Sequence, residues 1–211
     1  AMWRSKKIQN PFGRYLADPF VVRNEGHSFV FVEDYSYHLK KACISVFKVT
    51  KEGSKLIGEA LKEEFHLSYP YVFKYDDVYY MVPECNEIGS IRLYECNKFP
   101  LEWSFKKNLL ENVSAADTTI FKFQSLWWML VNIDPTYSND HTSELFAYYA
   151  TDPVNGVWLE HSLNPLIVDP ECARMGGIIQ EQDIVYRVAQ SQGFQRYGEK
   201  SIILEIEELT P

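Results

Sequence analysis

The sequence is poor in the features that announce most enzyme classes. Its four cysteines, Cys43, Cys85, Cys96 and Cys172, form no Cys-x-x-Cys pair, and no histidine stands at metal-ligand spacing. That pattern argues against a structural metal site, and neither a metal nor a cofactor is expected. Free, mostly buried thiols suit a reducing compartment, so a cytoplasmic location is expected. No apolar run approaches the roughly 18 residues of a membrane span. No signal peptide is visible, and Ala1-Met2 reads as a cloning remnant. Basic residues are outnumbered, 21 against 29 acidic ones, for a net charge of −8. A nucleic-acid binder carries the opposite footprint, so that partner is set aside. Gly176-Gly177 is too short to cradle a phosphate and reads as a site of close packing. No stretch reads as a long helix, a low-complexity linker or a domain boundary.

Aromatics are plentiful instead: 14 Tyr, 13 Phe and 5 Trp in 211 residues. With 46% hydrophobic residues, this composition favours one large β domain over two small ones.

A repeat organises the chain. Asp18–Glu33 (DPFVVRNEGHSFVFVE), Tyr69–Glu84 (YPYVFKYDDVYYMVPE) and Asp117–Asn132 (DTTIFKFQSLWWMLVN) align without a gap. Arg174–Gln190 (RMGGIIQEQDIVYRVAQ) aligns with a one-residue slip. The starts at 18, 69, 117 and 174 give spacings of 51, 48 and 57 residues. Repeats of about 40–50 residues built from short strands indicate a β-propeller. Each segment reads as a hairpin, with turns at Asn24-Glu25-Gly26, Tyr75-Asp76-Asp77, Gln124-Ser125 and Gln180–Asp183. Third strands are expected at Ala42–Val49, Ser90–Cys96, Glu144–Ala150 and Ser201–Ile206. Outer strands are expected at Glu59–Phe65, Trp103–Leu109 and Trp158–Leu163. Stacked blades bury both faces of each sheet, so Trp127 and Trp128 are both expected in the core. Residues 1–14 read as an extension that helps close the propeller, and 15–211 as the propeller itself.

Two rows of polar residues bracket the apolar hairpins. The opening row is Asp18, Tyr69, Asp117 and Arg174; the closing row is Glu33, Glu84, Asn132 and Gln190. In a propeller the inner strands line the central channel, so equivalent positions converge at one mouth. Carboxylates that accept from hydroxyls, beside aromatic faces, suit a sugar. Asp18 and Asp117 are also candidates for the paired carboxylates of glycoside hydrolysis.

Ala17-Asp18-Pro19-Phe20 before an apolar hairpin resembles the first blade of the five-bladed glycoside-hydrolase clan of arabinanases and invertases. Further segments are similar to a narrower family, the N-terminal domain of glucosamine inositolphosphorylceramide transferases. They are Ser68-Tyr69-Pro70, Tyr80–Glu84, Arg92-Leu93-Tyr94, Phe99-Pro100, Trp103, Asp117–Ile120, Trp127-Trp128, His161, Asn164-Pro165, Arg174, Gly177, Arg187, Ala189-Gln190 and Tyr197-Gly198. The resemblance implies an all-β, five-bladed propeller with four clear repeats and a partial or missing fifth. It also implies a bacterial glycan or polysaccharide biosynthesis protein, with a fused or partner transferase domain. It places Asp18 at the clan's catalytic base and Asp117 at a second acidic position. The clan's acid, a glutamate at an inner-strand start, is replaced by Tyr69 or Arg174.

The expected function is therefore carbohydrate recognition without ordinary hydrolysis, with Tyr69, Arg174, Arg187, Gln190, Glu33 and Asn132 binding the sugar or sugar conjugate. The enzymatic alternative is a glycosidase or glycosyl-transferring activity in which Asp18 is base or nucleophile, Asp117 orients, and Glu84 is the acid. A third alternative is a protein-interaction propeller without a sugar site.

Overall fold

The structure is a computed structural model that describes residues 7–182, 184–193 and 198–211. Expectations for residues 1–6, for Asp183 of the fourth turn and for residues 194–197, including Tyr197, lie outside the described residues.

Four sheets follow one another along the chain. The first is β1 (Arg14–Asn24), β2 (His27–Ser36), β3 (Lys41–Val49) and β4 (Ser54–Leu61) in that order. The second is β5 (Ser68–Tyr75), β6 (Val78–Glu84), β7 (Ser90–Lys98) and β8 (Glu102–Glu111). In the third, β9 (Ala115–Phe123), β10 (Leu126–Ile133), β11 (Glu144–Ala150) and β12 (Leu159–Glu160) lie in order, and β13 (Ile167–Val168) also pairs with β11. The fourth holds β14 (Met175–Glu181), β15 (Ile184–Ser191) and β16 (Lys200–Glu205). One 3-10 turn, Asn86–Ile88, is the only helical element among the described residues.

Each repeat segment forms the first hairpin of its sheet, and the turns of the first three hairpins have two residues each. Glu25-Gly26 and Asp76-Asp77 have positive φ at both positions, the geometry that matches the right-handed twist of the flanking strands. The expected outer strands need correction. β4 ends at Leu61, so the apolar residues of 62–67 follow the strand rather than continue it. The third sheet's outer strand shrinks to Leu159–Glu160. A fifth blade is not found among the described residues: the sheets number four, and Lys7–Gly13 contains no strand.

Burial shows why the sequence is so apolar. Phe29–Asp34 of β2 are buried in an unbroken run, so both faces of that sheet are covered. Trp128 is 1% exposed, whereas its neighbour Trp127 is only half-buried, against the expectation that both are core. Trp128 packs with Phe121, Leu130, Leu145, Ala147, Met175 and Val185. Val30, Val32 and Phe47 form a cluster in the first sheet. The chain divides into two compact units: one runs to Pro83 and includes Tyr94–Lys106, and the other is Glu84–Leu93 with Lys107–Pro211.

Candidate functional site

The opening row is built on backbone irregularities. In β1, Ala17 pairs with Glu33 and Phe20 with Phe31, so two residues on one strand, Asp18 and Pro19, face one on the other, Val32. Asp18 occupies this bulge with φ +44°. β9 repeats the device: Ala116 pairs with Asn132 and Thr119 with Leu130, and Asp117 has φ +55°. Tyr69, at the same repeat position in β5, has φ +42°. A bulge re-aims a side chain, and non-glycine residues persist in this region only when their surroundings hold them.

Tyr69 and Asp117 are each held through the main-chain N–H by a side chain of the preceding repeat. The Tyr69 N–H donates to Asp18 Oδ2 at 3.2 Å. The Asp117 N–H donates to Glu84 Oε2 at 3.3 Å. The Met175 N–H donates to Asn132 Oδ1 at 2.8 Å. The fourth repeat is therefore offset: Met175, not Arg174, takes the opening position. Its bulge lies between Met175 and Gly177. There Gly176 approaches β15 so closely that a Cβ would meet Val188 Cγ1 at 3.2 Å, the close packing expected of this glycine pair.

In the first unit, Glu33 is 6% exposed. Burial, then the charge of Asp18 and a hydrogen bond between the two carboxyls, push its pKa up to about 7. The Tyr15 hydroxyl reaches Glu33 Oε1 at 3.4 Å, and burial followed by the Glu33 charge raises that phenol to about 12. His66 Nδ1 accepts the Ala42 N–H at 3.2 Å, which leaves Nε2 to carry the proton, 3.5 Å from Glu33 Oε1. Tyr15 stacks on Tyr35 at 4.9 Å. Asp34, beside Glu33, is tied instead to Arg14 Nε and the Ser45 hydroxyl, each at 2.7 Å.

In the second unit, Arg174 Nε donates to Asp117 Oδ2 at 2.7 Å, and both side chains are largely buried. Asn132 is fully buried, and its amide also donates to the carbonyls of Glu144 and Ala173 at 2.8 and 3.1 Å. Arg187 is turned into the main chain, donating to the carbonyls of Cys172 at 2.6 Å and Ala173 at 3.3 Å; burial lowers its pKa. These two residues brace the segment that carries Arg174. The Gln190 N–H donates to the Arg174 carbonyl at 2.9 Å. Two larger clefts in this unit, about 770 and 670 Å³, contain none of Glu84, Asp117 and Arg174.

Sequence reasoning passed over several groups here. His141 is buried, its Nε2 is 2.8 Å from Ser114 Oγ, and desolvation lowers its pKa, with Arg174 adding to the effect. Asp134 accepts hydrogen bonds from the N–H and hydroxyl of Thr136 and from the N–H groups of Asn139 and Asp140. Those donors, the Thr136 hydroxyl foremost, hold its carboxyl down to about 2. The one available signal was the Asp134-Pro135-Thr136 run, since an aspartate two residues before threonine favours such a turn. His161 is a structural residue: its Nδ1 accepts the Leu163 N–H and its Nε2 meets the Thr210 carbonyl. The four cysteines form no disulfide; two of them are buried and two half-buried.

The sequence profile of the family described as "Glucosamine inositolphosphorylceramide transferase 1, N-terminal" matches residues 5–211. The chain belongs to this family. Rice (Oryza sativa subsp. japonica) glucosamine inositolphosphorylceramide transferase 1 is 33% identical over 201 residues, covering 93% of this chain and 27% of the rice protein. The Arabidopsis thaliana protein of that name is 32% identical, with 26% of its length covered. The chain thus spans about a quarter of these relatives, and because they are plant proteins they lend no support to a bacterial setting. Among solved structures, a glycoside hydrolase family 43 β-1,3-galactosidase superposes with a TM-score of 0.70 at 13% identity, over 92% of this chain and 43% of the other. An endo-arabinase from Bacteroides thetaiotaomicron gives 0.67 at 11% identity, over 90% and 75%. At such identities the likeness establishes the fold. This family member is an all-β propeller of the glycoside-hydrolase type, with four blades described where five were expected.

Proposed function

We propose that this domain recognises carbohydrate for a glycan-biosynthesis protein and does not carry out ordinary glycoside hydrolysis. The observation that carries the reading is the Arg174–Asp117 ion pair at 2.7 Å. A carboxylate held by a guanidinium is fixed in place as a hydrogen-bond acceptor, which suits orientation rather than proton transfer. The same pair offers fixed donors and acceptors side by side, the requirement for reading vicinal hydroxyls. Glu84, the candidate acid, lends an oxygen to the Asp117 N–H and so serves to position it. The relatives are named for a transferase and are nearly four times longer than the matched region, so transfer chemistry is assigned in this reading to another part of such a protein. Glycan binding measured by calorimetry, without release of sugar from aryl glycosides, is the expected result. Arg174→Ala should weaken binding at least tenfold.

One observation favours the enzymatic reading: Glu33 titrates near neutrality beside Asp18, as an acid catalyst must. The two carboxyls are nevertheless in hydrogen-bond contact, closer than the roughly 5–9.5 Å that hydrolysis by either stereochemical route uses. Turnover of aryl glycosides that disappears in Asp18→Asn would establish the enzyme and remove the binding-only reading.

A further inference from the structure

The turn after β6, the residue before β9 and the β10–β11 loop enclose an open pocket of about 320 Å³. Asn86, Glu87, Gly89, Ser114, Tyr137 and Asn139 line it. We infer that this pocket is a second sugar subsite that takes one neutral, polyhydroxylated six-membered ring. The inference rests on the carbohydrate reading above and extends it to a ligand of at least two rings.

The lining sets the ligand class. Two amides, two hydroxyls and a carboxylate supply donors and acceptors of both kinds, and no lysine or arginine is among them. Such a wall suits hydroxyl groups better than phosphate or sulfate, which call for cationic partners. The volume stands at the low end of small-molecule pockets, about 300–1,000 Å³, and fits a single ring. Gly89 keeps the floor open: it has φ +62°, and a Cβ there would find only the Val113 carbonyl at 3.9 Å.

The aromatic component is Tyr137. It is 67% exposed, so its ring contributes little to the core. It is nevertheless fixed at both ends. Its backbone is left-handed at φ +56°, and its hydroxyl donates to the Asn112 carbonyl at 3.0 Å. Asn139 is left-handed as well, at φ +70°, and its N–H is held by Asp134 Oδ2 at 2.6 Å. An exposed ring that is held still loses little entropy when the apolar face of a pyranose stacks on it. Strained residues gathered in one pocket wall fit a binding function better than a bare connection does.

Position links the pocket to the Asp117 centre. Ser114 is three residues before Asp117, and its hydroxyl meets both Asn86 Oδ1 at 3.1 Å and His141 Nε2 at 2.8 Å. His141 in turn lies within the electrostatic reach of Arg174. A glycan seated on the ion pair has a polar, pre-formed neighbour in the same unit.

The test is amide chemical-shift mapping of the full chain with methyl glycosides and their disaccharides, on the wild type and on Tyr137→Ala, Tyr137→Phe and Arg174→Ala. The expected result is disaccharide-dependent shifts at Asn86, Gly89 and Asn139. Tyr137→Ala should weaken the disaccharide about five- to tenfold with unchanged thermal stability, while Tyr137→Phe keeps most of the affinity. Shifts confined to Asp117 and Arg174, with affinity untouched by Tyr137→Ala, would overturn the subsite and leave the carbohydrate reading standing. No shift with any glycan would overturn both.

Discussion

Arg174 Nε stands 2.7 Å from Asp117 Oδ2, although 57 residues separate the two in the chain. The contact joins the start of the third hairpin to the residue just before the fourth, and both partners are largely buried. Breaking it from one side leaves a poorly solvated charge. Arg174→Leu is expected to destabilise the fold by about 2–4 kcal/mol, and adding Asp117→Asn should recover a large part of that loss. Urea unfolding of the two single variants and the double variant measures the coupling; additive losses would show that the pair contributes nothing specific.

Glu33 makes stability depend on pH near neutrality. Its folded-state pKa is raised to about 7, so between its ordinary value near 4.5 and 7 the folded state holds a proton that the unfolded state has released. Stability therefore falls as pH rises through this window. The slope approaches about 1.4 kcal/mol per pH unit and the total is on the order of 2–3 kcal/mol, shared with Asp18 as a coupled pair. Glu33→Gln should flatten the profile and be the more stable protein at pH 8. A denaturation midpoint measured from pH 4 to 8 in both proteins checks the sign.

Asn132 satisfies three main-chain groups at once, the carbonyls of Glu144 and Ala173 and the N–H of Met175. Its removal leaves these groups unpaired in the interior. Asn132→Ala is expected to cost about 3 kcal/mol or more, well above the average substitution. Asn132→Leu, which fills the volume without the hydrogen bonds, should be no better. A leucine variant as stable as wild type would show that packing, not hydrogen bonding, matters here.

Asp134 organises the β10–β11 loop through its carboxylate. Because its folded pKa is depressed to about 2, its contribution is complete above the ordinary aspartate value near 3.9 and fades only as pH falls towards 2. Asp134→Ala should speed proteolytic cleavage within residues 135–143 several-fold while the strands stay protected. Mass spectrometry of limited digests at pH 7 provides the measurement.

The hairpins were legible because they obey local rules. Alternating or continuous apolar runs, two-residue turns and a spacing near 50 residues describe strands whose pairing partner is the next segment of chain. The outer strands were less legible: beyond Leu61 the apolar residues continue while the strand stops, and Leu159–Glu160 is too short to leave a pattern. Asp18, Tyr69 and Asp117 were visible as a recurring position, yet nothing in their identities announced left-handed backbone. Tyrosine in particular is a poor candidate for it. Arg174 was assigned to the same row by alignment, but the Met175 N–H, held by Asn132, marks the true equivalent.

The sequence by itself determined the all-β class, the four hairpins and the polar residues at their ends, because strand patterning and turn chemistry act over a few neighbouring residues. Only the tertiary structure decided what those polar residues do. It paired Asp117 with Arg174, set Glu33 against Asp18, turned Arg187 into the main chain and brought Asn86, Ser114 and Tyr137 to one pocket wall. The physical reason is that charge state and hydrogen bonding depend on distance and solvent exclusion between groups tens of residues apart, and sequence order encodes neither.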